Sequence, residues 1–186
     1  MVNVGVIVAS QRTPRAGESV AKFVLQAIKK SKASATEKRI DLAEWNIPIM
    51  SEPVVPKRIT STEGYSNELT RKWSREILSH DAFVMVVPEY NGGYPASIKN
   101  AIDHLYNEWT NKPIMLVTYG GGGGHSVAQQ LTTVLAHMKM RPLGYVRLGL
   151  PRESILDPGA TVDSTTWAAQ ESSIVDLYSQ LVAAAS

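Results

Sequence analysis

The sequence contains no cysteine. That excludes disulfides, thiolate nucleophiles and cysteine-ligated metal centres. It also has no long apolar run. The first such run, Val4–Ala9, is too short for the core of a secretion signal and follows no basic residue. No stretch approaches the length that spans a bilayer, so a soluble, cytoplasmic protein with no membrane partner is expected. Charge of one sign is scarce as well. The formal net charge of +2 is too small to point to nucleic acid. The four histidines, His80, His104, His125 and His137, are scattered without an H-x-x-x-H pair, and no metal site is expected from them. No G-x-G-x-x-G follows the first predicted strand, and no Gly-Lys-Ser/Thr occurs anywhere. A dinucleotide fingerprint and a Walker loop are therefore both absent. There is no internal repeat and no linker.

What is present is a regular alternation of buried strands and amphipathic helices. The 186 residues, 44% apolar, fit one domain spanning 1–186. Val2–Ala9, Ala82–Val87 and Pro113–Tyr119 read as strands covered on both faces. Glu37–Leu42 reads as a short edge strand, because it carries charge, and Tyr145–Leu148 as a fifth strand. Helical spacing runs through Val20, Phe23, Val24, Ala27 and Ile28. It recurs at Leu69, Trp73 and Ile77 (with Ser66 as a cap), at Ile98, Ala101, Ile102 and Leu105, at Val127–Met138, and from about Thr166 to Val182. Ala43–Tyr65 is left as a long irregular connection, of a length usually functional or mobile, and Pro151–Asp163 as a loop. The alternation predicts a doubly wound α/β sheet with right-handed crossovers. Five strands favour the order 2-1-3-4-5, with ligand binding at the switch point between the first and third strands.

That order brings three loops to one sheet edge. Ser10–Ser19 joins the first strand to a helix start, whose free N–H groups suit a phosphate. Ser10, Thr13 and Ser19 add hydroxyls, Arg12 and Arg15 add charge, and Gly17 breaks the chain. An ordinary capped turn would use the same hydroxyls. Pro88–Tyr94 offers Tyr90 to lie against a flat ring, and Asn91 or the Gly92 backbone to bond its polar edge. A plain turn would also use Asn-Gly. Glu89 is a candidate general base, with a solvated carboxylate as the alternative. Tyr119–His125 holds five consecutive glycines, whose bare amides can form a nest for negative charge. His125 reads as a helix-start residue. Lys99, Asn100 and Asp103 read as surface or subunit-contact residues.

Taken together, Ser10-x-Arg12, Pro88-Glu89-Tyr90-Asn91 with Pro95-x-x-x-Lys99-Asn100-Ala101-x-Asp103, and Tyr119-Gly120-Gly121 resemble the NAD(P)H-dependent FMN reductase family. That family includes fungal quinone reductases, chromate reductases and azoreductases. The resemblance covers nearly the whole chain, and the middle block is the most specific part. It implies a flavodoxin-like three-layer sandwich, with helices on both faces of the sheet. It also implies FMN at the interface of a homodimer or dimer of dimers. NADPH or NADH would pass hydride to FMN, and a quinone or similar small acceptor would then be reduced in a ping-pong scheme. Ser10 and Arg12 would match the phosphate contacts, and the ring would lie between Pro88–Gly92 and Tyr119–Gly122. The cofactor contacts expected are Ser10, Arg12, Arg15, Gly17, Ser19, Pro88, Glu89, Tyr90, Asn91, Gly92, Tyr119, Gly120, Gly121 and Gly122. No side chain is needed as nucleophile or acid–base catalyst, since the flavin carries the chemistry. Ala9 departs from the glycine that usually precedes Ser-x-Arg. Arg15, Lys57 or Arg58 are candidates to meet the 2′-phosphate of NADPH. Two other classes stay open, an electron carrier of the flavodoxin type and a flavin-dependent redox sensor that docks onto a protein. Flavodoxins are acidic and lack arginine in the phosphate loop, so Arg12, Arg15 and the positive net charge weigh against the carrier.

Overall fold

An unbroken apolar strand is stable only where both its faces are covered. In the computed structural model, which describes residues 1–157, 159 and 161–186, such strands occupy the middle of the sheet. They are β1 (Val2–Val8), β3 (Ala82–Pro88) and β4 (Pro113–Gly120); every residue of β3 and β4 is buried. β2 (Ala35–Asp41) and β5 (Arg141–Gly149) alternate exposed and covered positions and form the two edges. All pairings are parallel and the order is β2-β1-β3-β4-β5, as the alternation predicts.

Helices cover both faces. On one, α1 (Gly17–Ile28) and α7 (Glu171–Ala185) bring Val20, Phe23, Ile174 and Leu181 against Val4, Val6, Val84 and Val117. On the other, α3 (Glu68–Leu78), α4 (Ala96–Asp103) and α5 (His125–His137) bring Trp73, Ile77, Ile102 and Leu131 against Ile7, Phe83, Met85 and Leu116. Trp73, Trp109 and Phe83 pack edge to face with centroids 6.1 and 5.2 Å apart, the arrangement aromatic quadrupoles prefer. The result is a flavodoxin-like three-layer sandwich. Among the described residues, no helix is long and apolar enough to cross a membrane, and no cluster of three metal-ligating side chains occurs.

Several local expectations are corrected. The connection after β2 is neither structureless nor loose. It holds a short helix α2 (Leu42–Trp45) and two 3-10 turns, Pro56–Arg58 and Thr62–Gly64, with Ile59 and Tyr65 buried. Asn100, expected at the surface, clamps it. Its amide donates to the carbonyls of Ile47 and Pro48 at 3.1 and 2.9 Å and accepts from Met50 N–H at 2.9 Å. His104 donates from Nε2 to the Pro48 carbonyl at 2.9 Å. Lys99 and Asp103 simply pair along α4 at 2.6 Å.

The cap of α3 is Asn67, not Ser66; its side chain accepts from Leu69 N–H at 2.8 Å. α1 starts at Gly17, so Ser19 is helical. β5 begins at Arg141 rather than Tyr145, because an edge strand with a wet face lacks the apolar run that marks a central one. α6 (Arg152–Leu156) stands in the segment expected as a loop; Pro158 and Ala160 of that segment lie outside the described residues. The last helix starts later than expected, after a 3-10 stretch Ser164–Gln170. Trp167 leaves helical geometry there (φ −115°, ψ 16°). Its ring packs on Phe23 at 5.4 Å and its indole N–H donates to the Gly149 carbonyl at 2.7 Å. Tertiary docking of one tryptophan outweighs helix continuity.

Candidate functional site

β1, β3 and β4 all end at the same sheet edge. Successive connections leave in opposite directions there, which opens a crevice. The cleft is lined by Ser10, Arg12, Arg15, Ala16 and Gly17 from the first loop, Pro88, Glu89 and Tyr90 from the second, and Tyr119, Gly120 and Gly121 from the third. Leu150, Ser154 and Ile155, from the segment after β5, complete the wall. Ser19, Asn91, Gly92 and Gly122, also expected at the site, do not line it.

One end of the cleft is rich in donors. α1 begins there with Ala16 at the cap position and no side chain capping it, which leaves its first N–H groups to the cleft. The Ser10 and Tyr90 hydroxyls lie 2.8 Å apart. The Tyr119 hydroxyl is buried and, among the described residues, has no hydrogen-bond partner. Gly17 permits that placement, since a Cβ at Gly17 would stand 2.7 Å from the Tyr119 oxygen. Burial, with Tyr90 nearby, pushes the Tyr119 phenol up, so it stays a neutral donor.

The two arginines of the first loop have different tasks. The Arg12 guanidinium lies over the Tyr90 ring, 5.7 Å from its centroid, and among the described residues no carboxylate pairs with it. Arg15 is engaged through both of its terminal nitrogens. It donates to both Asp41 oxygens at 2.9 and 2.5 Å, to Glu18 at 2.5 Å and to the Ser10 carbonyl. The Asp41 hydrogen bonds push its pKa up. Burial alone would raise the Asp41 carboxyl, but the Arg15 fork and the Ala43 amide outweigh it and hold it below the usual range. Ser19 accepts from Val162 N–H at 3.2 Å. Lys57 sits over the Tyr106 ring at 5.4 Å, and neither it nor Arg58 lines the cleft.

In the second loop, Tyr90–Gly93 closes a tight hairpin through paired backbone bonds of 2.9 and 3.1 Å. Asn91 and Gly92 both take left-handed conformations in it (φ 52° and 75°), as a two-residue loop of this twist requires. Glu89 is a cap. Its carboxylate accepts from Ser126 N–H at 3.1 Å, serving α5, whose own cap residue, Gly124, has no side chain to do so. Removing it in Glu89→Ala should lower stability by about 1 kcal/mol, read by denaturant unfolding. An unchanged midpoint would reject the cap. The glycine run divides into two parts. Gly120 and Gly121 border the cleft, whereas Gly123 and Gly124 turn the chain into α5 at φ 74° and 71°. Arg147 donates to the Gly122 carbonyl at 2.5 Å from β5. The wall at Leu150, Ser154 and Ile155 has no signature in the sequence, since nothing in that stretch distinguishes it from an ordinary surface loop.

A cleft of this kind at the carboxyl edge of a doubly wound parallel sheet defines a flavodoxin-like α/β protein. The profile of a family described as NADPH-dependent FMN reductase matches residues 2–153. An NAD(P)H-dependent FMN reductase of Schizosaccharomyces pombe is 41% identical over 152 residues, covering 81% of this chain and 74% of the relative. A quinone reductase of Pseudomonas putida is 28% identical over 174 residues, covering 88% and 86%. The fold is shared with FerB of Paracoccus denitrificans, a flavoenzyme NAD(P)H:(acceptor) oxidoreductase, at a TM-score of 0.71 and 21% identity over 98% of each chain. The chain belongs to the NADPH-dependent FMN reductase family. It is accordingly an oxidoreductase, and its cofactors are FMN and a reduced nicotinamide nucleotide.

Proposed function

We propose that residues 1–186 form one FMN-binding unit that carries electrons from NAD(P)H to a quinone or similar small acceptor in a ping-pong order. The observation that carries this reading is the donor-rich end of the cleft. An uncapped helix start, a buried Tyr119 hydroxyl and an Arg12 guanidinium converge there, the last two without a hydrogen-bond partner or carboxylate among the described residues. A buried donor with no partner is costly, and a phosphate dianion would satisfy this set. The residues present therefore fit the group. When bound, FMN supplies the capacity to take up hydride and pass the electrons on.

The chain's own residues do the rest. Ser10, Arg12, Gly17 and Tyr119 hold the phosphate end. Pro88, Glu89 and Tyr90 lie beside Gly120 and Gly121 at the ends of adjacent strands, and together they border the space for the ring. Bare amides of the glycine turn favour the edge that gains negative charge. Leu150 and Ile155 give the opening an apolar side, which suits a quinone, the substrate named for the Pseudomonas putida relative. One cleft shared by donor and acceptor favours the ping-pong order. Exposed Ile49, Val54 and Val55 offer a homodimer a surface to bury.

The test is the visible spectrum of the protein after incubation with FMN and removal of the excess. Bands of an oxidised flavin are expected, and anaerobic NADPH or NADH alone should bleach them. A carrier without a nicotinamide site would stay yellow, and absence of bound flavin would reject the reading altogether.

A further inference from the structure

Asp41 ends an edge strand and yet its side chain has no solvent exposure. A buried carboxylate persists only where its lone pairs are filled, and those of Asp41 are. Oδ1 accepts from Ala43 N–H and from Arg15 Nη1, both at 2.9 Å, and Oδ2 accepts from Arg15 Nη2 and Arg39 Nη2, both at 2.5 Å. Two parallel bonds from one guanidinium fix its plane as well as its position. The same Arg15 Nη1 also donates to the main-chain carbonyl of Ser10. A continuous path thus runs from the end of β2 through Asp41 and Arg15 to the backbone of Ser10, whose hydroxyl faces the cleft. Carboxylates also meet both guanidiniums of this path. Arg15 and Arg39 are paired with Asp41, Glu18 and Glu44, and Arg12 is left as the cation of the loop without a carboxylate partner among the described residues.

We propose that Asp41 is a positioning residue for the phosphate end of the site. By clamping Arg15 it holds the Ser10–Gly17 loop in the shape that receives the phosphate, and it does so without lining the cleft. The inference rests on the FMN reading given above. An asparagine at this position matches the shape but offers one acceptor oxygen and no charge, so the fork cannot be completed.

The test compares affinities for FMN and for riboflavin, which has the same ring and no phosphate. Both are measured by flavin fluorescence quenching on wild type, Asp41→Asn and Asp41→Glu, with thermal unfolding of each protein alongside. Asp41→Asn should weaken FMN on the order of fivefold, the worth of about one net hydrogen bond, and leave riboflavin unchanged. Asp41→Glu, which keeps the charge, should recover part of the preference for FMN. An unaltered FMN-to-riboflavin ratio in Asp41→Asn would overturn the proposal, as would an equal loss of both ligands, the mark of a merely structural role. If Asp41→Asn does not fold, Arg15→Lys, which keeps the charge and loses the fork, carries the same comparison with the same outcomes. Wild type with no preference for FMN over riboflavin would instead reject the phosphate site itself.

Discussion

Replacing Arg12 with alanine is expected to weaken FMN binding by about 1.5–3 kcal/mol, or roughly 10- to 150-fold in Kd. The reason lies in the contrast between the two arginines. Arg15 spends its fork on Asp41, Glu18 and Ser10. Arg12 stands over Tyr90, and no carboxylate among the described residues competes for it. A charge-assisted bond to phosphate is therefore available from the whole Arg12 fork, whereas both terminal nitrogens of Arg15 are already taken. Stability in the absence of flavin should hardly change, because Arg12 is exposed and surface substitutions are usually small in effect. Isothermal titration with FMN, at two salt concentrations, checks both the size and the electrostatic origin. Full FMN affinity in Arg12→Ala would remove that side chain from the site.

The second large effect concerns folding. Gly124→Ala should destabilise the protein by roughly 2–4 kcal/mol, the sum of a left-handed conformation forced on a residue with a Cβ and an overpacked contact. Gly124 sits at φ 71°, and an added Cβ would lie 2.8 Å from the Tyr119 backbone nitrogen and 2.7 Å from Thr118 Cβ. Neither neighbour can step aside, since both belong to a buried central strand. For a chain of this length the midpoint of thermal unfolding should fall by roughly 5–15 °C. Gly121→Ala serves as the control. Its Cβ would meet only the far end of the Ile155 side chain, at 3.2 Å, so stability should be nearly kept. Equal losses in the two variants would mean that the whole glycine run is structural.

The architecture was readable because its signals are local. Unbroken apolar runs mark strands that need cover on both sides, and 3.6-residue spacing marks the helices that supply it. Strand order followed from the number of strands and the handedness of the crossovers. The three loops could be named for the same reason, since each follows a strand end. Boundaries failed where a distant partner intervenes. β5 is one case, hidden by its wet face. Trp167 is another, where docking on Phe23 and Gly149 breaks the last helix.

The chain alone thus carried the layer plan, the position of the crevice and the residue types around it. What the amino acids could not disclose was who pairs with whom. Arg12 and Arg15 look equivalent in sequence, and only the arrival of Asp41, 26 positions from Arg15, commits the fork of one of them to holding the loop and leaves that of the other open to the cleft. Glu89 reads as a possible base until Ser126, 37 positions on, turns it into a helix cap. Periodicity and turn chemistry act between neighbours along the backbone. Hydrogen bonds and ion pairs act over a few ångströms of space, and the folded chain alone determines which groups lie within that reach.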